Sequence, residues 1–283
     1  MSNFKFCLIC TSRDLEVFER FWVSLIHQDY NYEIHLIFVN QTNSSFNFYS
    51  KPFNISVEQH IIDPCGLSSA RNYALKHVID CDIIAFPDDD CWYDNSLLSS
   101  IAKNFSVLNN IAGVCTNIFD PINNLQYGRR KVLKKNLNKF DLFHIPISVS
   151  LFLNYSIFRD IKFDLNFGVG SSYGSGEESL YILEGLSNIN FSRKIFYNGL
   201  ISVYHEVDLN PSENKVSKYS FGYGVFLRYS SRYLLVIPFL VFIYIFFRSL
   251  MGHFFKEIIL NEKSFLLSRA KSLFKGYFYE SSL

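Results

Sequence analysis

The N-terminal third of the chain alternates apolar segments with amphipathic ones, and this alternation constrains the fold more than any other feature. The segments 13–28 (RDLEVFERFWVSLIHQ) and 66–80 (GLSSARNYALKHVID) have apolar residues at helical spacing. Four apolar runs are predicted strands: FKFCLIC (4–10), YEIHLIFVN (32–40), ISVEQHII (55–62) and DIIAFP (82–87). Strands that alternate with helices predict an α/β fold, with a mostly parallel sheet covered by helices on both faces. Ligands of such sheets bind beyond the carboxyl ends of the strands.

Composition limits the classes of partner. The chain has 283 residues, 49% of them hydrophobic, which is enough for one large α/β domain or two small ones. Its 27 Lys and Arg nearly balance its 26 Asp and Glu, so we expect no nucleic-acid partner.

Cysteine usage and the N-terminus predict a cytoplasmic protein. Cys7 and Cys10 form a CxxC pair, but they lie in a predicted buried strand, where residues three apart point to opposite faces. The other four cysteines have no ligand spacing, so all six are predicted to be reduced thiols. The first residues lead directly into a strand without a basic leader, which predicts no signal peptide.

An acidic triplet, Asp88–Asp90, follows the fourth predicted strand. Carboxylates at the carboxyl end of a strand can hold Mg²⁺ or Mn²⁺, which bridge to phosphate oxygens. The alternative is a solvated turn before the predicted helix 95–105 (NSLLSSIAKNF), with Asp94 as its N-cap.

Arg71 lies in the first turn of the predicted helix 66–80. Backbone amides at a helix N-terminus and a guanidinium together can bind a phosphate. An ordinary surface arginine is the alternative.

Two further features carry ionisable groups. Glu177 and Glu178 open a helix after a Gly- and Ser-rich loop (168–176), where the helix dipole stabilises a carboxylate that could act as a base. Adjacent helical residues point about 100° apart, so one of the two should face a site. Simple helix-end electrostatics is the alternative. His205 follows a strand-like run and can be a third metal ligand or merely a partly buried histidine.

The C-terminal region contains an uncharged run, 233–247 (YLLVIPFLVFIYIFF), flanked by Arg232 and Arg248. One helix of this length would reach about 22 Å, short of the roughly 30 Å of a bilayer core. A membrane-dipping or re-entrant segment is favoured over a core or dimer helix and over a true span. Basic residues follow the run and suit an anionic cytoplasmic surface: Lys256, Lys263, Arg269, Lys271 and Lys275. The basic segment 128–140 is either solvated or in contact with acceptor or lipid phosphates.

These motifs, in this order, resemble a family-2 glycosyltransferase of the GT-A fold over roughly residues 4–230. The resemblance rests on TSR (11–13), NQT (40–42), GLSSARN (66–72), PDDD (87–90), GSGEE (174–178) and then His205. It extends to the segments 147–170 and 218–229, the second of which is similar to a segment of bacterial polysaccharide-assembly members.

The resemblance implies a metal site with Mn²⁺ or Mg²⁺ as cofactor. Asp88 and Asp90 match the DxD pair: Asp90 would bind the metal on the diphosphate, and Asp88 would bind ribose or metal-bound water. His205 would complete the metal shell, and Asp89 would lie with the nucleotide-sugar.

The resemblance also implies a nucleotide-sugar donor. Thr11, Arg13 and Arg71 would lie beside the nucleotide. Asn40 stands where many members have an acidic residue that faces the base, so a UDP-sugar is favoured only by family frequency.

Glu178, with Glu177 as second choice, matches the base that deprotonates the acceptor hydroxyl, with inversion at the anomeric carbon. The acceptor would be a glycan or lipid-linked glycan in surface polysaccharide synthesis. Two alternatives remain open: an inactive sugar-nucleotide-binding or scaffold subunit, and a metal-dependent nucleotidyltransferase.

The implied organisation is a GT-A catalytic domain and a helical tail. Residues 1–222 form the catalytic domain, with a nucleotide-sugar half of about 1–117 and an acceptor half of about 118–222. Residues 223–283 form a membrane-associating tail at the cytoplasmic face of the inner membrane, with homo-oligomers possible.

Overall fold

The computed structural model describes residues 3–108, 110–128, 132–260 and 264–279, without the side chains of residues 257 and 258. Its strands form one sheet. They are β1 (Phe6–Ser12), β2 (Ile34–Asn40), β3 (Ile55–Ile61), β4 (Ile83–Ala85), β5 (Trp92–Tyr93), β6 (Ile111–Asp120), β7 (Leu125–Gln126), β8 (Lys134–Asn136), β9 (Leu151–Asn154) and β10 (Lys194–Tyr204).

Helices connect these strands and form the C-terminal region. They are α1 (Leu15–Ile26), α2 (Leu67–Leu75), α3 (Leu97–Val107), α4 (Tyr155–Phe158), α5 (Glu177–Asn188), α6 (Glu213–Leu234), α7 (Ile237–His253) and α8 (Leu266–Tyr277). Two 3₁₀ turns, Asp141–Phe143 and Ser148–Ser150, precede β9, and a π-helical stretch, Phe254–Ile259, extends α7.

The sheet confirms the predicted mostly parallel architecture. Its order is β3-β2-β1-β4-β9-β6-β10-β5, with β7 paired to β6 and β8 paired to β10. The four predicted strands, β1 to β4, are mutually parallel where they pair, and β10 is parallel to β6. Strand β9 runs antiparallel between β4 and β6. Ser12 pairs with Asn40, so the polar residues that end β1 and β2 meet at one edge.

Helices cover both faces of the sheet. The side chains of each strand alternate between the two faces, so both faces present side chains that helices can bury. Phe18 and Trp22 of α1 and Ile101 of α3 belong to a core cluster with residues of alternating positions on β1 and β2. The rings of Phe18 and Phe38 stack with centroids 3.8 Å apart. The opposite face of β3 contacts α2, where the rings of His60 and Tyr73 lie 5.3 Å apart.

The chain divides into two compact units. Unit 1 comprises Met1–Cys65, Ser69–Lys162 and Gly185–Val207, and it contains the sheet. Unit 2 comprises Gly66–Ser68, Phe163–Glu184 and Asp208–Leu283. Helix α6 runs continuously through residue 223, where the helical tail was predicted to begin.

Two predicted helix boundaries need correction. Ser96, not Asp94, is the N-cap of α3; the Asp94 carboxylate instead accepts hydrogen bonds from the Ser96 N–H and hydroxyl. Helix α2 ends at Leu75, five residues before the predicted end at residue 80.

The uncharged run 233–247 is not one helix. Leu235 has a φ of +47°, which ends α6, and α7 begins with Pro238 in its first turn. Proline suits a helix start because its missing N–H would have no intrahelical partner there. Among the described residues, one helical stretch, Ile237–Lys256, is long and apolar enough to cross a membrane, and 28% of an 18-residue apolar window within it is buried. Residues 129–131 and Lys263, part of the two basic segments, lie outside the described residues.

Candidate functional site

Each of the three carboxylates of the triplet has a different partner. The partner of Asp88 is the most buried of the three. Asp88 Oδ1 accepts a hydrogen bond from Arg71 Nη2 at 2.9 Å, and the Arg71 side chain is 1% exposed. Asp88 also forms an isolated parallel bridge with Thr11 at the end of β1. Burial raises the pKa of Asp88 to about 6, although the Arg71 charge opposes this rise. The predicted anion-binding Arg71 is therefore a buried partner of the triplet.

Asp89 turns toward the end of β1. Its Oδ2 lies 2.5 Å from the hydroxyl oxygen of Ser12, which also accepts the Asp14 N–H. Burial raises the pKa of Asp89, and the Ser12 hydrogen bond opposes the rise. Ser12 was not among the predicted site residues, although its place at the end of a strand could have indicated it.

Asp90 pairs with His205, which the sequence separates from it by more than a hundred residues. His205 Nε2 lies 3.2 Å from Asp90 Oδ1. Burial disfavours the charge on both groups, but the mutual hydrogen bond outweighs it, lowering the pKa of Asp90 and raising that of His205. The backbone N–H of His205 donates to Phe119 O, so β6 fixes the backbone that carries the imidazole.

These residues form a candidate metal centre. One ligand atom each from Asp88, Asp90 and His205 lie within 4.8 Å of one another. Two carboxylates and one imidazole fit the hard oxygen preference of Mg²⁺ and the mixed preference of Mn²⁺. The predicted ligand set is thus brought together, and its chemistry fits a divalent cation.

Arg20 braces this centre, and no sequence pattern indicated it. Its Nη1 lies 2.6 Å from Glu206 Oε1, and its Nη2 donates to the Asp90 carbonyl at 3.0 Å. The guanidinium carbon lies 3.8 Å from the centroid of the Trp92 ring. One α1 side chain therefore holds both the triplet turn and the segment that follows His205.

Asp120 supports the same segment from the end of β6. Its carboxylate accepts the side-chain N–H of Asn123 at 2.8 Å and the backbone N–H groups of Val207, Ile122 and Asn123. These hydrogen bonds, led by the Asn123 side chain, lower the pKa of Asp120 to about 2. An aspartate that ends an apolar run, as the triplet does, could have drawn attention to it.

Arg13, predicted to lie beside the nucleotide, has hydrogen-bond partners in two other segments. Arg13 Nη2 donates to Cys65 O at 2.6 Å, and its Nε lies 3.4 Å from Gln41 Oε1. Gln41 Oε1 also accepts the Cys65 N–H at 2.7 Å. Arg13 and Gln41 therefore hold the segment that precedes α2.

Asn40 is buried and hydrogen-bonded within its own turn. Its Oδ1 accepts the N–H and hydroxyl of Thr42, and its Nδ2 donates to Ser44 O at 2.6 Å. The Asn40 side-chain amide therefore already has hydrogen-bond donors for its oxygen and an acceptor for its nitrogen within the protein.

In unit 2, Glu177 and Glu178 begin α5 and differ in exposure. Glu177 is 6% exposed, whereas Glu178 is partly exposed. A Cβ at Gly168, whose φ is +104°, would lie 2.9 Å from Ser68 Oγ and 3.2 Å from Glu177 side-chain carbons. The glycine therefore permits close packing of the 168–176 loop on Glu177, and Glu178 is the more accessible carboxylate.

The loop 168–176 has several hydrogen-bonded ties. Gly168 N donates to Tyr173 O at 2.8 Å, and the Ser171 hydroxyl donates to Gly168 O at 2.6 Å. The Ser175 hydroxyl donates to Tyr219 O at 2.9 Å. The Gly-rich composition thus builds a defined turn, and its closure over a sugar stays a prediction.

Unit 2 also contains a cavity of about 300 Å³. Burial raises the pKa of Tyr223 well above its usual value; the Arg269 charge opposes this and the Glu178 charge adds to it. The cavity combines hydroxyl groups, an arginine and apolar side chains, and its lining includes Ser175, Tyr219, Tyr223, Ile245, Arg269 and Leu273.

Solved structures share this fold at low sequence identity. The S. aureus TarS crystal structure has a TM-score of 0.58 and is 16% identical, covering 80% of this chain and 43% of TarS. Its 1–349 fragment in complex with UDP-GlcNAc scores 0.56 at 18% identity, covering 79% of this chain and 66% of the fragment. Mannosyltransferase PcManGT from Pyrobaculum calidifontis, in complex with GDP-Man and Mn²⁺, scores 0.63 at 8% identity, covering 98% and 88%. This chain therefore spans less than half the length of that TarS chain.

Sequence comparison identifies the family. A search of functionally curated proteins gives no significant match. Residues 7–161, more than half of the chain, match the profile described as glycosyl transferase family 2. That range includes the triplet and Arg71. Together with the mostly parallel sheet and the structural likenesses, this match shows that the chain belongs to glycosyl transferase family 2 and has its GT-A fold.

Proposed function

We propose that this glycosyltransferase moves a sugar from a nucleotide-diphosphate sugar to a hydroxyl group, with inversion and with Mn²⁺ or Mg²⁺ as cofactor. The observation that carries the proposal is the convergence of Asp88, Asp90 and His205, whose ligand atoms lie within 4.8 Å of one another. Arg71, buried against Asp88, adds a fixed positive charge to the same place.

Asp88, Asp90 and His205 would hold the cation, which when bound neutralises charge on the leaving diphosphate. Arg71 orients Asp88 through its hydrogen bond, and Arg20 fixes the Asp90 backbone. This fixed arrangement is what charge stabilisation in a transition state requires, because preorganised groups need no rearrangement during the reaction.

Glu178 is the proposed general base. It lies in the first turn of α5, where the helix dipole stabilises its anionic form, and it is more exposed than Glu177. It would take the proton of an acceptor hydroxyl that attacks the anomeric carbon from the face opposite the diphosphate. A positioned base contributes roughly 10²–10⁴-fold to such a step. The cavity near Tyr223 and Arg269 is the proposed place for part of the acceptor.

A UDP-sugar is the proposed donor, and a glycan or lipid-linked glycan of a surface polysaccharide is the proposed acceptor. TarS has been solved with UDP and with UDP-GlcNAc, whereas PcManGT has been solved with GDP-Man. The Asn40 amide is satisfied within its own turn, so we propose that it shapes the base pocket through that turn. Thr11 and Arg13 are proposed to contact the nucleotide.

We further propose that α7 lies on the cytoplasmic face of the inner membrane. Apolar side chains at helical spacing are exposed along α7 and at the residues that flank it: Val236, Leu240, Tyr244, Phe247, Met251 and Phe254. Exposed basic side chains lie on α7, on its π-helical extension and on α8: Arg248, Lys256, Lys271 and Lys275. An apolar stripe with basic neighbours is typical of a helix that lies in the interface of an anionic bilayer.

A product analysis tests the central proposal. The full chain is incubated with UDP-sugars or other nucleotide-diphosphate sugars, with and without Mn²⁺, and with detergent extracts that contain lipid-linked glycans. Metal-dependent release of nucleoside diphosphate together with a glycosylated product is expected, and NMR of that product gives the anomeric configuration. Donor binding without turnover would indicate an inactive subunit, and pyrophosphate release from a nucleoside triphosphate would indicate a nucleotidyltransferase.

A further inference from the structure

Unit 1 has a second cluster of metal-ligating side chains, on the face of β3 that contacts α2. Glu58 and His60 are two residues apart on β3 and point to the same face. His77 follows the end of α2. His60 Nε2 lies 2.7 Å from Glu58 Oε1, and His77 Nδ1 lies 3.0 Å from the same oxygen. One ligand atom each from Glu58, His60 and His77 lie within 4.8 Å of one another.

The surroundings of His60 suit a metal ligand. Its Nδ1 lies 3.3 Å from the Tyr73 hydroxyl, so Nδ1 can carry the proton and leave a lone pair on Nε2. Nε2 is buried and has no hydrogen bond among the described residues, although it lies 2.7 Å from Glu58 Oε1. The rings of His60 and His77 lie with centroids 4.0 Å apart.

A third histidine lies on the neighbouring strand. His35 of β2 pairs with Ser56, and its Nδ1 lies 2.7 Å from the Ser56 hydroxyl oxygen. Its Nε2 lies 3.7 Å from Glu58 Oε2 and has no hydrogen-bond partner among the described residues. The Glu58 carboxylate therefore has an imidazole near each of its oxygens.

We propose that Glu58, His60 and His77 bind a zinc ion. Two imidazoles and one carboxylate, with a fourth position for water or His35, form a common zinc ligand set. Metal–ligand bonds of about 2.0–2.2 Å in a tetrahedron place ligand atoms about 3.3–3.6 Å apart. The observed 2.7 and 3.0 Å need only small side-chain movements to reach that spacing.

This cluster differs in chemistry from the Asp88, Asp90 and His205 centre. Two of its three ligands are nitrogen, which favours zinc, whereas two of the three in the other centre are carboxylate. A zinc ion here would fasten the end of α2 to β3. Because α2 also carries Arg71, the zinc would hold that helix in place without contacting substrate.

The test is a zinc measurement on the full chain in the Asp90→Ala background, which removes the other candidate centre. Protein stripped with a chelator is loaded with Zn²⁺, separated by gel filtration and analysed for metal by mass spectrometry. We expect one zinc per chain. His60→Gln and His77→Gln should lose it, whereas His27→Gln, at the exposed end of α1, should keep it.

A second measurement separates ligation from misfolding. Co²⁺ bound by the proposed ligands should give visible absorption, and Tyr73→Phe should keep this spectrum while weakening zinc affinity by about tenfold or more. The proposal is overturned if the Asp90→Ala protein binds no zinc, or if folded His60→Gln and His77→Gln proteins bind as much as it does. Either result would leave the three residues as a hydrogen-bonded histidine and glutamate cluster. Because the readout is bound metal rather than transfer, the result is independent of the proposed activity.

Discussion

The guanidinium of Arg71 lies 2.9 Å from the carboxylate of Asp88, and the Arg71 side chain is almost wholly buried whereas Asp88 is 34% exposed. The positive charge is thus fixed inside the protein, and the negative charge reaches solvent. Such an arrangement presents one carboxylate in a single orientation to whatever binds the triplet. The burial also makes the arginine hard to replace.

Arg71→Met should reduce both stability and nucleotide binding. Breaking a buried ion pair costs about 3–5 kcal/mol, and we expect the lower end because Asp88 is partly exposed. Urea unfolding measures the loss. Arg71→Lys keeps the charge but not the planar fork of donors, so metal-supported UDP affinity should fall while most stability remains. Unchanged UDP affinity in a folded Arg71→Met protein would show that Arg71 does not contribute to nucleotide binding.

Asp90→Ala should abolish the gain in nucleotide affinity that we propose Mn²⁺ to give. The change removes a proposed metal ligand and the partner of His205. Isothermal titration of UDP with and without Mn²⁺ measures this gain. Asp94→Ala, four residues further along the chain, is the matched control and should titrate as wild type. An equal Mn²⁺ effect in the Asp90→Ala protein would argue against the metal centre.

Glu178→Gln should keep donor affinity and lose transfer by roughly 10²–10⁴-fold, the contribution of a positioned base. The exchange preserves shape and removes only the ability to accept a proton. Steady-state transfer rates and nucleotide titration are measured on the same preparation. Glu177→Gln serves as the comparison, because its side chain is buried against Gly168. If that variant is the inactive one, the base is the neighbouring glutamate.

Charges on the exposed face of α7 should release the chain from membranes. Leu240→Glu and Phe247→Glu place carboxylates among the exposed apolar residues, so they should abolish flotation with anionic liposomes and leave UDP affinity unchanged. These point changes are better than removal of residues 233–283, because α8 packs closely on α6. A Cβ at Gly224 or Gly276 would collide with the facing helix backbone. A wild-type chain that never floats would exclude membrane binding.

Asp120→Asn should change acid stability. The pKa of Asp120 is about 2 in the folded chain, below the usual value near 3.9. A carboxyl group with a depressed pKa stabilises the folded chain at every pH above its pKa in the unfolded chain. This stabilisation disappears as the pH falls through the pKa of the group in the folded chain. The urea concentration at the unfolding midpoint of the wild type should therefore decrease as the pH is lowered from roughly 4 to roughly 2. Asp120→Asn should lack the part of this decrease that protonation of Asp120 causes. Parallel curves for both proteins would mean that Asp120 is not the group responsible.

Local sequence determined the elements and the edge of the sheet where the chemistry lies. The four N-terminal strands were predicted because apolar runs ending in polar residues are a local signal. Their parallel pairing then brings Ser12 and Asn40 to one edge, with Asp88 bridged to the end of β1. The motif order also identified the family, whereas the membrane contact of α7 stays a prediction.

Only the tertiary structure decided the partner of each side chain. His205 reaches Asp90 because β10 lies beside β6 and β5, and Arg20 reaches the triplet turn from a helix whose periodicity gave no sign of it. The Glu58, His60 and His77 cluster was missed because the end of α2 brings His77 to β3 from a distant position in the chain. Strand order, register and helix docking depend on long-range packing of the core, and these set the distances between charged groups, whereas local sequence patterns report only helical and strand periodicity.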